Sequence, residues 1–361
     1  MVMQPDHSVP THFWHRLENG KLQCDLCPRF CQLNKDQRGL CFVRGRVGDE
    51  IRLLSYGLSS GFCIDPIEKK PLNHFLPGTP VLSFGTAGCN LACRFCQNWD
   101  ISRSRETERL SDSATPQALA EAAQHHQCRS IAFTYNDPVI FHEYAIDVAK
   151  ACHELGINSV AVSAGYVCPE PRREFYAYMD AANIDLKAFT ERFYKRICGG
   201  ELAPVLETLE YIHNETATWL EITTLLIPGE NDSSKELEAL SQWISSHLGN
   251  EVPLHFTAFH PDWKMMDHPS TPLTTLRRAR EIAQKQGLKF VYTGNLPDAE
   301  GNTTYCSGCG EPLIQRRGYI LTGWHLLPNG RCSHCNQRLA GRFEPQPGNW
   351  GAKRLPIHLH R

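Results

Sequence analysis

Eleven of the sixteen cysteines fall into three groups with the spacing of metal ligands. Cys89, Cys93 and Cys96 form C-x3-C-x2-C. Cys24, Cys27, Cys31 and Cys41 form C-x2-C-x3-C-x9-C, and Cys306, Cys309, Cys332 and Cys335 form C-x2-C-x22-C-x2-C. Four thiolates complete a tetrahedral metal site, whereas three can hold three irons of a [4Fe–4S] cluster and leave the fourth open. An open position separates a catalytic metal site from a structural one, so the group of three is where chemistry is expected. The two knuckles at 306–335, with Gly310 behind the second cysteine, read as a zinc-ribbon or rubredoxin-like site, with zinc expected and iron the alternative. The N-terminal four suit either zinc or an auxiliary iron–sulfur cluster, and spacing leaves both open. Cys63, Cys128, Cys152, Cys168 and Cys198 stand singly and read as small buried hydrophobes, with a hydrogen-atom donor the alternative for Cys198.

Residues 85–103 read GTAGCNLACRFCQNWDISR and follow an apolar run at 81–84. The three cysteines are therefore expected on a loop leaving the C-terminal end of a strand, where parallel α/β folds build their sites. Further apolar or β-branched runs at 130–134, 159–163, 184–187, 220–226, 254–259 and 290–292 alternate with helical stretches. Thr115-Pro116-Gln117 opens one helix with a cap and a first-turn proline, and 140–155, 233–248 and 272–286 carry apolar residues at helical spacing. Such alternation means a parallel sheet with crossover helices. Seven strands predict an α/β fold with a partial TIM-like (β/α) barrel, a doubly wound open sheet being the alternative. The expected organisation is an N-terminal four-cysteine segment at 1–76, the core barrel at 77–300 and a C-terminal four-cysteine segment at 301–361.

Composition narrows the partners. The chain has 361 residues, 41% hydrophobic and 21% charged, with a formal charge of −2. This excludes wholesale disorder and a fibre, and gives no global field for nucleic acid. No apolar run approaches the length that spans a bilayer, and residues 1–16 lack the apolar stretch of a signal peptide. A cytoplasmic location is expected, where cysteines in this number bind metal rather than form disulfides. From 301 onward eight Lys/Arg face two Asp/Glu, a local +6.

The C-x3-C-x2-C motif, with Phe95 before its last cysteine and a glycine-rich loop after a first strand, resembles that of the radical S-adenosylmethionine (SAM) superfamily. Cys96-Gln97-Asn98, Asp185-Leu186-Lys187, IPGEND at 227–232 and AFHP at 258–261 are similar to the pyruvate formate-lyase activating enzyme group. DPIEKKPLNHFLPG at 65–78, FTYNDP at 133–138, DLKAF at 185–189 and YTGN at 292–295, followed by the late CxxC pair, resemble the AmmeMemoRadiSam-system radical SAM proteins over nearly the whole chain. Asp137 departs from that pattern, which more often has Glu.

The resemblance implies a [4Fe–4S] cluster on Cys89, Cys93 and Cys96, with SAM on its open iron and a 5′-deoxyadenosyl radical as the product of reductive cleavage. It implies a low-potential donor such as a flavodoxin or ferredoxin, together with Memo-like and AMMECR-like neighbours. Thr134, Tyr135, Asn136 and Asp137 occupy the position that grips the SAM amino group in the superfamily, and His260 the position of a histidine near SAM. Thr134–Asp137 also read as a cap and turn. Asp185 and Lys187 are expected on one face of the fourth strand, meeting SAM's polar groups or forming an ion pair. Glu68-Lys69-Lys70 precede the barrel and either close over its mouth or form a solvated charge run. The expected function is radical SAM catalysis on an unidentified substrate, the alternative a glycyl-radical enzyme activase. A zinc protein binding nucleic acid through the +6 segment is the remaining reading, and it leaves the three-cysteine group unexplained.

Overall fold

The structure is a computed structural model describing residues 7–104 and 112–359; residues 1–6 and 360–361, at the outer ends of the two flanking segments, lie outside them. Its centre is a nine-stranded sheet. In chain order the strands are β1 (Phe62–Pro66), β2 (Pro80–Phe84), β3 (Ser130–Phe133), β4 (Asn158–Ser163), β5 (Ala181–Asp185), β6 (Trp219–Leu226), β7 (Leu254–Ala258), β8 (Val291–Gly294) and β9 (Leu355–Ile357). Strands β2 to β8 are parallel and lie side by side in sequence order, while β1 runs antiparallel to β2 and β9 antiparallel to β1.

Each parallel step crosses through a helix: α1 (Pro116–His125), α2 (His142–Glu154), α3 (Pro169–Tyr176), α4 (Ala203–Glu215), α5 (Ser234–His247) and α6 (Leu273–Lys285). Local chemistry starts them where the sequence predicts. The Thr115 side chain accepts from the Ala118 amide with Pro116 in the first turn, and Ser233 accepts from the Glu236 amide. Strands β3 and β7 are buried along their whole length, as parallel strands covered on both faces must be. The expected partial barrel is the observed architecture, and the doubly wound alternative is not: strand order never reverses.

Two features depart from sequence expectation. The strand expected at 184–187 is β5, which starts earlier, at Ala181, and stops at Asp185. Beyond it the Lys187 amide donates to the Tyr194 hydroxyl, and Asn231 donates to the Lys187 carbonyl, so the chain has left the sheet. Lys187 therefore does not alternate with Asp185 on a strand.

The second departure is the strap 67–79 between β1 and β2. It passes inside the barrel at the end where the strands begin, packing Leu72 and Phe75 against Val81, Ala132, Val160 and Ala181. The Glu221 carboxylate of β6, fully buried, accepts from the amides of Asn73 and His74 at 2.9 and 2.8 Å and from His255 at 2.7 Å. Arg316 donates to the Asn73 carbonyl, and His74 bridges the Ala340 carbonyl and the Tyr292 hydroxyl. Glu68 and Lys70 are 4% and 2% exposed, so the run 68–70 is not a solvated charge run. Glu68 binds the Gly78 amide instead, and burial pushes its carboxyl up to about 7.

The flanking segments contribute small antiparallel sheets. Two of three strands lie between residues 9 and 53, and a third comprises Thr304–Tyr305, Pro312–Arg317 and Ile320–Trp324. Each segment also sends one strand, β1 or β9, into the central sheet, so all three parts share one sheet.

Candidate active site

Cys89, Cys93 and Cys96 lie on the loop leaving β2 and line a cavity of about 290 Å³ at the C-terminal ends of the parallel strands. The loop is fixed from two sides. Asn136, after β3, donates to the Gly88 carbonyl at 2.8 Å and accepts from the Thr86 amide at 3.3 Å. A side chain at Gly85 would run into the Thr134 carbonyl and the Asn136 amide, so glycine alone fits. On the far side, the amides of Ala92 and Arg94 donate to the carbonyls of Cys198 and Ile197, the end of a π-helical turn at Tyr194–Cys198. Such turns mark functional sites more often than their rarity predicts.

The electrostatics separate the thiols. Cys93 is drawn down to about 7, first by its hydrogen bond from Cys198 and then by the Lys187 charge, against burial. Burial instead pushes Cys89 up to about 12. Cys198 is fully buried behind Cys93 and does not line the cavity, which removes the position a hydrogen-atom donor to substrate needs. Its contact with Cys93 is that of a supporting side chain.

Thr134, Tyr135, Asn136 and Asp137 all border the cavity, but three of their side chains are engaged by protein groups. Asn136 clamps the cysteine loop. The Asp137 carboxylate accepts from the amides of Val139 and Ala164 and from the Ser163 hydroxyl, at 2.9–3.1 Å. Tyr135 takes a left-handed backbone conformation, φ 72°, rare for a residue with a side chain. Its carbonyl accepts from Asn98 at 2.8 Å and its hydroxyl donates to Asp65 at 3.1 Å.

Asp185 and Lys187 line the opposite wall and pair at 2.8 Å. His260 is exposed, outside the cavity, with Nδ1 3.3 Å from the Pro261 carbonyl. Strand β7 ends at Ala258, two residues before His260, and the side chain that borders the cavity from this strand is Thr257.

Thr223 escaped the sequence reading; Asn98 and Asn295 stood in its motifs without an assigned role, and Lys69 in the charge run expected either to close over the mouth or to be solvated. Thr223 lines the cavity, is 7% exposed, and its buried hydroxyl has no protein partner. Asn98 fixes Tyr135 as described. Lys69 reaches the cavity from the strap, and its neighbour Asp65 receives both Lys69 and Lys70 at 2.8 Å. Asn295 closes the wall after β8, donating to the Ala258 carbonyl at 3.1 Å. The contacts of Asn98 and Asn295 depend on residues distant in sequence, whereas Lys69 pairs with Asp65 four residues away; Asn98, Asn295 and Lys69, inside CQN, YTGN and the 68–70 run, carried a local signal.

The two four-cysteine groups differ. The sulfurs of Cys306, Cys309, Cys332 and Cys335 lie within 4.8 Å of one another, with Cys306 to Cys335 at 3.5 Å and Cys309 to Cys332 at 3.8 Å. Four sulfurs gathered this closely could hold a metal ion between them. Cys24, Cys27, Cys31 and Cys41 surround a separate small cavity. Among the described residues no helix is long and apolar enough to cross a membrane.

Comparison with known proteins places this arrangement. The family model of the Radical SAM superfamily matches residues 84–241. An uncharacterised protein of Methanocaldococcus jannaschii is 38% identical over 330 residues, spanning 91% of this chain and 97% of that protein. The 4-hydroxyphenylacetate decarboxylase activating enzyme of Clostridium scatologenes is 27% identical over 127 residues, 34% of this chain and 40% of the enzyme. Against the activating enzymes, then, the chain matches about half of their length or less. Among solved structures, a domain of the pyruvate-formate lyase-activating enzyme from Bacteroides vulgatus aligns with a TM-score of 0.40 and 19% identity, over 45% of this chain and 98% of that one.

Proposed function

Because this chain belongs to the radical SAM superfamily, we propose that it is an enzyme of the AmmeMemoRadiSam type acting on a substrate yet to be identified. Membership implies a [4Fe–4S] cluster and SAM, and a reductant such as flavodoxin or ferredoxin. The residues present suit both groups. Three thiols border one cavity, and the Asp185–Lys187 pair and the Thr134–Asp137 segment line the same space. That convergence at the strands' C-terminal ends is the observation that carries the reading.

When bound, the cluster and SAM would supply one-electron cleavage of the sulfonium C–S bond and, through it, hydrogen abstraction from substrate. Cys89, Cys93 and Cys96 hold the cluster, and Asn136 and the π-helical turn hold their loop still. The backbone of Thr134 and Tyr135 receives the SAM amino group, a task suited to carbonyl oxygens. Asp137 keeps that segment in shape rather than touching SAM, since three donors already engage it. Asp185 and Lys187 meet the ribose hydroxyls and the carboxylate as a preformed pair. His260, exposed and outside the cavity lining, is given no role in this reading.

The AmmeMemoRadiSam assignment rests on the long stretches at 65–78, 133–138, 185–189 and 292–295, and brings Memo-like and AMMECR-like proteins as proposed partners. A glycyl-radical activase is the second reading, favoured by the similarity to activating enzymes. The C-terminal four-cysteine set is proposed to hold zinc, which its sulfur spacing fits. Anaerobic reconstitution with iron and sulfide, followed by SAM and dithionite, tests the reading through 5′-deoxyadenosine. A protein that carries the cluster and yields none refutes it.

A further inference from the structure

The N-terminal cysteines have surroundings that the active site does not use. Cys24, Cys27, Cys31 and Cys41 all line one cavity, walled otherwise by apolar side chains such as Leu26, Leu33 and Ile140. Two guanidinium nitrogens of that wall, Arg29 Nη2 and Arg44 Nη1, are buried without partners. Arg44 is 1% exposed, and its other nitrogens are occupied by the Ile140 carbonyl and by Glu143. Buried donors without acceptors beside a cavity of thiols point to a ligand that brings acceptor atoms of its own. A zinc ion brings none, whereas the inorganic sulfides of an iron–sulfur cluster do.

Sulfur spacing agrees. Zinc–sulfur bonds of about 2.3 Å gather four sulfurs about 3.8 Å apart, and the C-terminal set has that geometry. Among the described residues no second group of three or more His, Cys, Asp or Glu ligands is gathered within 4.8 Å. The N-terminal four instead stand around their cavity, as Cys89, Cys93 and Cys96 stand around theirs. We propose that Cys24, Cys27, Cys31 and Cys41 ligate a second [4Fe–4S] cluster, whose sulfides accept hydrogen bonds from Arg29 and Arg44.

The two sites share a wall. The Cys41 carbonyl presses against Gly88, whose φ of 86° and missing Cβ permit the approach. Arg29 Nε donates to the Asn90 carbonyl at 2.7 Å, and Asn90 itself borders the N-terminal cavity. Gly88 and Asn90 flank Cys89, so one short piece of backbone separates the second cluster from the first. The inference rests on the radical SAM reading only in naming that neighbour.

The test uses the full chain, reconstituted anaerobically as wild type and as Cys89→Ala/Cys93→Ala/Cys96→Ala. At four sulfides per cubane, wild type is expected to hold about eight acid-labile sulfides and the triple variant about four. The triple variant is also expected to keep a dithionite-induced paramagnetic resonance signal, which adding Cys27→Ser and Cys31→Ser abolishes. Wild type with about four sulfides, all lost in the triple variant, and with zinc at the N-terminal site, overturns the second cluster. That wild-type count of sulfide and zinc depends on no variant folding. Failure of the radical SAM reading looks different: about four sulfides in wild type, all retained by the triple variant.

Discussion

Thr223 carries a buried hydroxyl that no protein group satisfies, and a polar group left in that state costs about 1–3 kcal/mol unless a ligand completes it. Nothing in LEITTLL distinguishes Thr223 from Thr224, whose hydroxyl is spent on the Leu186 carbonyl. Replacement by the isosteric Val is expected to leave the melting temperature unchanged or raised while weakening SAM binding by about tenfold, the equivalent of one hydrogen bond. Equilibrium binding of SAM to the reconstituted protein checks this, and equal affinity in Thr223→Val removes the hydroxyl from the site. The cysteines, by contrast, were legible from type and spacing alone, because a metal demands ligands in fixed number and the intervals are short. Asp137 was legible as a participant but not in its role. Two of its partners, Ser163 and Ala164, sit 26 and 27 residues away at and just past the end of the next strand, and no local pattern announces them.

At the scale of elements, the strap 67–79 departs furthest from what the sequence allows one to read. Two lysines and a glutamate in a row look solvated until Asp65 and Glu221 are seen to hold the segment from either side. Glu221 binds amides 147 and 148 residues away, a separation that leaves no periodicity. The barrel strands and helices were legible because period, caps and first-turn prolines are local. The strap carries a testable titration. Burial opposes charge on Asp65, yet Lys70 and Lys69 hold its carboxyl down to about 2, against an ordinary 3.8. A carboxyl held low binds fewer protons folded than unfolded, so its contribution is complete above about pH 4 and is lost as pH falls through 2. The gap corresponds to about 2 kcal/mol. Denaturant unfolding is expected to show Asp65→Asn less stable than wild type at about pH 6, with the difference shrinking below about pH 4. A difference that stays constant to low pH contradicts the pairing.

Across the whole molecule, one sheet binds three sequence segments whose limits composition alone made look separate. β1 comes from the first segment and β9 from the last, and Arg316 and Ala340 reach from the last segment to the strap. Metal at 306–335 is therefore expected to support more than its own small sheet. Cys309→Ser is expected to lose one equivalent of metal, measured by mass spectrometry, and to increase amide exchange at 312–324 and in the strap at 72–76. Exchange that rises only within 306–335 contradicts that coupling. Loops joining distant segments were not legible because their partners are fixed only when the barrel closes.

The central claim is that the loop of Cys89, Cys93 and Cys96 makes this a radical SAM enzyme, and its most direct test is product formation. Anaerobically reconstituted wild type, given SAM and dithionite, is predicted to release 5′-deoxyadenosine and methionine in equal amounts, while Cys93→Ala releases neither. Wild type that holds iron and sulfide at those cysteines but forms no 5′-deoxyadenosine, or Cys93→Ala that forms as much as wild type, contradicts the account.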